Sequence, residues 1–470
     1  MIDTQPYTDE AGLPATTDAA SINSNDDDRK RWQENNCSCP MIQDLLRYQA
    51  THDTQTGLAN LDLLLERVEQ RISRGHRCHL VVLMITGIND IGEHHGVAAG
   101  LYALRTIAKR IKDTLGDYGL AARMQGGLFA AVSDNAAPQQ LAQQLWQALN
   151  KPLLWHAEPL QLVVAAGVVN GAEHAGSAES LLQAGYAAAK DALSHNARGG
   201  INVFTAVLGQ RLEHQYQVEM RLRSALLSDN LSLALQAKVC ASGGHILGAE
   251  ALVRWHDAHL GTVAPAEFIP LAERNGSIGK ISAWVLAAAL QQATTWHNAG
   301  LELTIAVNLS AIDLKNPELL ANVQAALTAS GCPPHKLIIE LTESAVAEDP
   351  LQAIAQLQAL KALGLSLALD DFGTGYSSLS YLHRFPIDTL KIDRSFVADT
   401  PADADAVAIV RSIVALAQAL GMTTVAEGVE TAAQAAFLRE LGVNTLQGYF
   451  FSPPIPAEQF LALAQAKLAF

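Results

Sequence analysis

Cysteine is scarce in this chain, with five among 470 residues. Cys37, Cys39, Cys78, Cys240 and Cys332 are scattered and odd in number, so no disulfide framework is expected and free thiols suit a reducing compartment. Cys37-Ser-Cys39 has no second Cys or His pair to complete a zinc site. Long apolar runs are missing too. Nothing approaches the roughly 18 uninterrupted residues of a membrane span. No basic start leads into an apolar run, so no signal peptide is visible and a cytoplasmic protein with no membrane partner is expected. Basic residues are few: 32 Lys and Arg stand against 47 Asp and Glu, a net charge of −15. That balance excludes a broad nucleic-acid or anionic-membrane surface, which needs clustered Lys and Arg. It still admits a small anionic ligand where a divalent metal reverses the local sign. What is present is ordinary globular composition, 49% hydrophobic and 17% charged, on a chain long enough for two to four domains.

Residues 1–42 are rich in Asp, Ser, Thr and Asn and poor in large apolar side chains, and read as a disordered acidic tail. From 43 to 205, strand and helix patterns alternate. HLVVLMITGI (79–88) and QLVVAAGVV (161–169) read as strands, and Gly126-Gly127 as the turn of a hairpin. Apolar spacing predicts helices over 57–74, 97–115, 138–150 and 177–195. The expectation is an α+β domain with an antiparallel sheet, closed by Arg198-Gly199-Gly200. A helical linker is expected over 206–228. From 229 to 470, eight strand-like runs are separated mostly by helical ones, the pattern of a (β/α)8 barrel. The first two runs are joined by only a short turn, so one strand is expected to pair antiparallel.

In that second region an apolar strand repeatedly ends in a polar residue. Gln236, Glu250, Asn308, Glu340, Asp370 with Asp371, Lys391, Glu427 and Gln447 take these places in turn. Barrel enzymes place their chemistry where strands run into the following loops. A convergent set of buried acids is costly unless something neutralises it. Several carboxylates with one Asn amide, and no His or Cys, suit Mg2+ or Mn2+ rather than zinc. Adjacent Asp370 and Asp371 can bridge one ion and reach a second. Two such ions clamp a phosphodiester, with Lys391 as an added cation and Glu427 as a candidate proton acceptor.

Glu250-Ala251-Leu252, followed by Val253-Arg254-Trp255, resembles the signature of the EAL family of cyclic di-GMP phosphodiesterases. The likeness continues through PAEFIPLAERNG (265–276), NLS (308–310), ELTES (340–344), DDFGTGYSSL (370–379), LKID (390–393), AEGVE (426–430) and QGYFFSPP (447–454). The resemblance implies a modified TIM-like barrel and hydrolysis of cyclic di-GMP to linear pGpG with two Mg2+ or Mn2+. It implies that Glu250, Asn308, Glu340 and Asp370 hold one ion and Asp371 reaches the second. Lys391 and Glu427 would position and activate water, and Gln236, Arg254, Glu430 and Gln447 would contact the nucleotide. Glu343 would brace the loop from Asp371 to Tyr376, and a homodimer through this domain is implied. The other reading from a different class is a cyclic di-GMP receptor that signals to a protein partner without significant turnover.

The first domain is similar, more loosely, to the GGDEF family of diguanylate cyclases, whose fold is a ferredoxin-like α+β sandwich. THDTQTGLANL (51–61) resembles that family's opening motif, and QGGLF (125–129) falls where its signature stands. The signature's metal-binding Asp and essential Glu fall on Gly127 and Leu128, and the other metal Asp on Thr86. The family's nearby Asn and Asp fall on Gly92 and Glu93, and its inhibitory product site falls on Gly116 and Gly119. Cyclisation needs carboxylates to hold Mg2+ on the triphosphate. The expectation is therefore a degenerate domain with no cyclase activity, acting as a regulatory module. Asn60 and Glu69 fall near positions that read guanine, which leaves GTP or a protein regulator as a partner there.

Overall fold

A computed structural model describes residues 40–465 except 77, 117–118, 134–136, 172, 175, 197, 227–229, 348 and 374–381. The acidic tail up to residue 39, with Cys37 and Cys39, lies outside the described residues, as do Thr374, Gly375 and Tyr376. Two compact units divide between Leu212 and Glu213.

The first unit carries β1 (His79–Thr86), β2 (Gly119–Arg123), β3 (Leu128–Ser133), β4 (Leu153–Trp155), β5 (Glu158–Leu160), β6 (Val163–Asn170) and β7 (Gly199–Val203). Five of these form one sheet in the order β2-β3-β1-β6-β7, and β4 pairs with β5 apart from it. β1 is central. Val81, Leu83 and Ile85 share a core with Leu104, Ile107 and Ile111 of helix Val97–Leu115. Leu80 and Val82 share another with Leu64 and Val68 of helix Leu61–Ser73 and Leu181 of helix Ala178–His195. Both faces are covered, which is why β1 reads as an unbroken apolar run rather than an alternation.

Three expectations are corrected here. The sheet is not wholly antiparallel, because β6 and β7 pair parallel. Gly199 and Gly200 do not close the domain but open β7. A Cβ on Gly199 (φ +76°) would lie 2.1 Å from the Val164 carbonyl oxygen, so glycine is what lets the edge strand approach. The helix expected from residue 57 begins at Leu61, because Gly57 turns the chain at φ +69° and Asn60 Oδ1 accepts the Leu63 N–H as its N-cap.

The second unit carries β8 (Leu231–Cys240), β9 (Ile246–Asp257), β10 (Gly261–Val263), β11 (Thr304–Leu309), β12 (Leu337–Thr342), β13 (Ser366–Phe372), β14 (Thr389–Ile392), β15 (Thr423–Ala426), β16 (Thr445–Leu446) and β17 (Ile455–Pro456). Eight of them, β8, β9 and β11 to β16, close into a barrel because β8 pairs with both β9 and β16. β8 runs antiparallel to both neighbours, while the other adjacent pairs around the ring are parallel. The chain is thus an α/β barrel joined to an α+β domain. Helix Ala206–Ala225, read from sequence as a linker, gives Val218, Leu222 and Ala225 to the barrel's own core.

The strand register positions the site. Glu250 lies opposite Ala306, Asn308 opposite Glu340, and Glu340 opposite Ala368. The steps from Glu250 to Asn308 and from Glu340 to Asp370 each advance the inward-facing residue by two, while Asn308 and Glu340 are level, a stagger of the kind that strand tilt in a barrel imposes. Two expected strand ends are corrected: Gln236 lies inside β8 and Glu250 inside β9, which runs on to Asp257, so the polar residues meet at one mouth although they sit at different points along their strands.

Candidate active site

Lys391 is the hub. It projects from β14 with no solvent exposure. Its Nζ lies 2.7 Å from Asp370 Oδ2, 2.8 Å from Glu340 Oε2, 2.7 Å from Glu427 Oε1 and 3.8 Å from Glu250 Oε2. Burial opposes its charge, but the carboxylates of Glu250, Glu340, Glu427 and Asp370 outweigh burial and hold its pKa well above the ordinary lysine value. Glu340 is fully buried. Lys238 Nζ holds its Oε1 and Lys391 holds its Oε2. Burial pushes Glu340 up, yet the two ammonium groups bring it down to about 2.

Asp370 and Glu427 are different. Burial, with Glu340 and Glu250 adding to it against Lys391, lifts Asp370 to about 6. Burial, with Asp370 and Glu250 adding to it against Lys391, lifts Glu427 to about 8. Lys391 does not offset the burial of both Asp370 and Glu427.

The rest of the set closes around this hub. Glu250 is gripped from two sides: Asn308 Nδ2 donates to its Oε1 at 2.6 Å and Gln447 Nε2 to its Oε2 at 2.6 Å. Gln447 Nε2 also donates to Gln236 Oε1 at 3.0 Å. Asp371 sits in the left-handed region at φ 53°, at a register break between β13 and β14, and its N–H donates to Asp370 Oδ1 at 2.8 Å. Such strain at a non-glycine residue is a local cost that the surrounding fold holds in place. Glu343 is buried, and its Oε2 accepts the Gly373 N–H at 3.0 Å, at the start of the loop it was expected to brace.

Arg254 stands apart from the acids. Its guanidinium donates to its own neighbour's carbonyl, Val253 O, at 2.9 Å. It lines a cavity of about 330 Å³ with Leu252, Ile269, Ile281, Asn308 and Ser310. Glu430 is exposed, and its backbone N–H donates to Gln434 Oε1 at 2.8 Å.

Sequence reading missed Lys238. Its signal was available: it lies two residues after Gln236 on β8, so the two share the inward face.

Two groups of acids can hold cations. Glu250, Glu340 and Asp370 each place one carboxylate oxygen within 4.8 Å of the others, and so do Asp370, Asp371 and Glu427. Asp370 belongs to both. The donors are all oxygens, which fits a hard divalent ion. Their protonation offers a test. Around pH 7 a Glu427 lifted to about 8 keeps its proton, and a cation arriving beside it would expel that proton. Titrating Mn2+ in buffers of different ionisation enthalpy should show close to one proton released per protein at pH 7, and less at pH 9. Zero release at pH 7 would refute the arrangement. The same shift has a sign for stability. The folded state binds more protons than the unfolded one between about pH 4.5 and 8, so the metal-free protein should lose stability as pH rises through that window.

In the first unit, Thr86 is exposed at the end of β1, and Gly127 lies against it. The Ile85 N–H donates to Gly127 O at 2.9 Å, and a Cβ on Gly127 would fall 2.0 Å from the Ile85 carbonyl oxygen. Leu128 opens β3 opposite Met84. Asn60 is spent on its helix cap, and Glu69 Oε2 accepts the Ala178 N–H at 2.9 Å at the start of helix Ala178–His195. Among the described residues, no helix is long and apolar enough to cross a membrane.

Comparison with known proteins agrees with this geometry. The EAL domain family model matches residues 219–454, and the model for the diguanylate cyclase GGDEF domain matches 50–199. The bifunctional diguanylate cyclase/cyclic di-GMP phosphodiesterase MucR of Pseudomonas aeruginosa is 36% identical over 421 residues, covering 88% of this chain and 61% of its own. The cyclic di-GMP phosphodiesterase NbdA of the same organism is 36% identical over 428 residues, covering 88% of this chain and 54% of its own. The chain thus spans between half and two thirds of the length of these curated relatives. Among solved structures, the PaMucR phosphodiesterase in complex with c-di-GMP is 45% identical over 52% of this chain and 99% of its own, with a TM-score of 0.51. The EAL enzyme Bd1971, in its cAMP- and cyclic-di-GMP-bound form, is 27% identical over 65% of this chain and 82% of its own, with a TM-score of 0.52.

Proposed function

The chain belongs to the EAL-domain family, with a GGDEF domain on the N-terminal side, and from that premise we propose that it is a cyclic di-GMP phosphodiesterase yielding linear pGpG. The observation that carries this reading is the completeness of the barrel mouth. Both acidic groups, the buried Lys391 hub and the raised Glu427 are all present and in contact. Five carboxylates against the ammonium groups of Lys238 and Lys391 leave an excess of negative charge, which suits two Mg2+ or Mn2+. Glu250, Asn308, Glu340 and Asp370 would hold one ion, and Asp370 and Asp371 the other. Bound there, the ions would neutralise the phosphate and acidify the attacking water.

The chain's own residues do the remaining work. Glu427 accepts the proton of the water whose oxygen attacks phosphorus, while the P–O3′ bond breaks and the departing 3′ oxygen takes a proton from solvent water and leaves as a hydroxyl. Lys391 Nζ, 2.7 Å from Glu427 Oε1, orients that carboxylate and stabilises its charged form. Arg254 and the cavity beside it, with its Leu252, Ile269 and Ile281 walls, take a guanine base and its adjoining phosphate. Gln236 and Gln447 hold the nucleotide from the β8 and β16 side, and Glu430 contacts it from the rim. Glu343 fixes the loop that follows Asp371, through which the barrel would dimerise.

The first domain is regulatory and makes no cyclic di-GMP. Gly127 and Leu128 offer no carboxylate, and the space a side chain at 127 would need is filled by the Ile85 carbonyl. GTP or a protein is the regulator it would answer to in the cytoplasm. One experiment tests both halves: incubation with cyclic di-GMP and Mg2+ or Mn2+, with and without GTP, and separately with GTP alone, with products separated by chromatography. The expected result is pGpG from cyclic di-GMP and no cyclic dinucleotide from GTP. Tight binding of cyclic di-GMP without product would make the protein a receptor instead.

A further inference from the structure

We propose that Lys238 is a positioning residue of the barrel site, a built-in counter-cation that restrains how strongly the site binds its metal ions. The inference rests on the phosphodiesterase reading and concerns a residue outside the expected catalytic and binding set. Lys238 is buried on β8, two residues beyond Gln236 and on the same inward face. Its ammonium group is committed to Glu340 Oε1, while Lys391 takes Glu340 Oε2. Glu340 is thus clamped by one cation on each oxygen, with no solvent to screen either.

This clamp has two consequences. Lys238 removes one oxygen of Glu340 from the donors free to face a metal, and it cancels one negative charge a few ångströms from both acidic groups. It also spares Lys391. With Glu340 half-satisfied from β8, the Lys391 ammonium stays within 2.7 Å of both Asp370 and Glu427. Without Lys238, the fully buried Glu340 would draw on Lys391 alone, and Lys391 would serve Glu427 less well. At the effective dielectric of a protein site, one unit charge at such range changes cation binding severalfold or more.

The test uses the full chain with Lys238→Met and, as a second neutral variant that can still hydrogen-bond, Lys238→Gln. Mn2+ affinity is measured by calorimetry without nucleotide, and kcat and KM are measured for cyclic di-GMP. The expected result is Mn2+ binding at least about fivefold tighter in either neutral variant. A kcat at least about tenfold lower with KM within about threefold should accompany it, because the loss falls on Glu427 rather than on nucleotide binding. Lys238→Arg, which keeps the charge, should hold Mn2+ affinity within about twofold of the native value. Unchanged or weaker Mn2+ binding in a folded neutral variant would overturn the proposal. A native protein that binds Mn2+ but yields no pGpG would overturn the phosphodiesterase reading instead and leave the affinity comparison standing.

Discussion

Replacing Glu427 by Gln should cut the turnover of cyclic di-GMP by about 10²–10⁴-fold, the usual contribution of a positioned general base. Nucleotide and metal affinity should change far less. The reasoning is geometric. Gln keeps the size of Glu and can still accept from Lys391 Nζ, so the 2.7 Å contact that orients the side chain survives in kind. What is lost is the ability to take a proton. In the metal-free site Glu427 is lifted to about 8 by burial against the pull of Lys391, and once bound cations expel its proton it stands as a free carboxylate able to take one from water. Glu340, brought down to about 2 by its two lysines, is too weak a base for the role. Steady-state kinetics with calorimetry on the same preparations would decide the matter. A variant within tenfold of native turnover would move the proton to another group.

Much of this site is legible in the sequence because a barrel brings strand ends together whatever lies between them. Asn308, Glu340, Asp370, Lys391 and Glu427 each stand at or near the end of a strand, and that pattern predicts convergence at one mouth, whereas Glu250 lies inside β9. Three things were not legible, each for a physical reason. Lys238 lies inside its strand, not at its end, and its role depends on strand tilt, which sets β8 beside β12 in depth and is invisible in one strand's pattern. β7 opens on two glycines, which read as a breaker; the glycine is there because the Val164 carbonyl leaves no room for a Cβ at position 199. Asn60 and Glu69 stand where a nucleotide reader would be expected, but backbone N–H groups at two helix starts claim both side chains. A sequence records which polar groups are present. It does not record which of them the backbone has already used.

The second large effect is expected at Lys391. Lys391→Met keeps the length and apolar stem of the side chain and deletes the ammonium group. It leaves Glu250, Glu340, Asp370 and Glu427 facing one another around a hub with no charge. Removing one partner of a buried ion pair typically costs about 3–5 kcal/mol, because the remaining charge stays buried without compensation. For a unit of this size that is a fall of roughly 6–20 °C in the Tm of the metal-free protein. The deficit should depend on pH in a way that a packing defect would not. Without the ammonium the carboxylates rise further, so the folded state binds still more protons than the unfolded one above about pH 4.5. The variant should therefore approach native stability near pH 5 and fall away from it toward pH 8. Thermal melts across that range, with chelator present, read this directly. A constant deficit would mean that Lys391 matters for its volume rather than its charge. Turnover should fall as far as in the Glu427 variant, since the hub that orients the base is gone. Mn2+ should also restore more stability to this variant than it adds to the native protein, because the cation would supply the positive charge that the four carboxylates have lost.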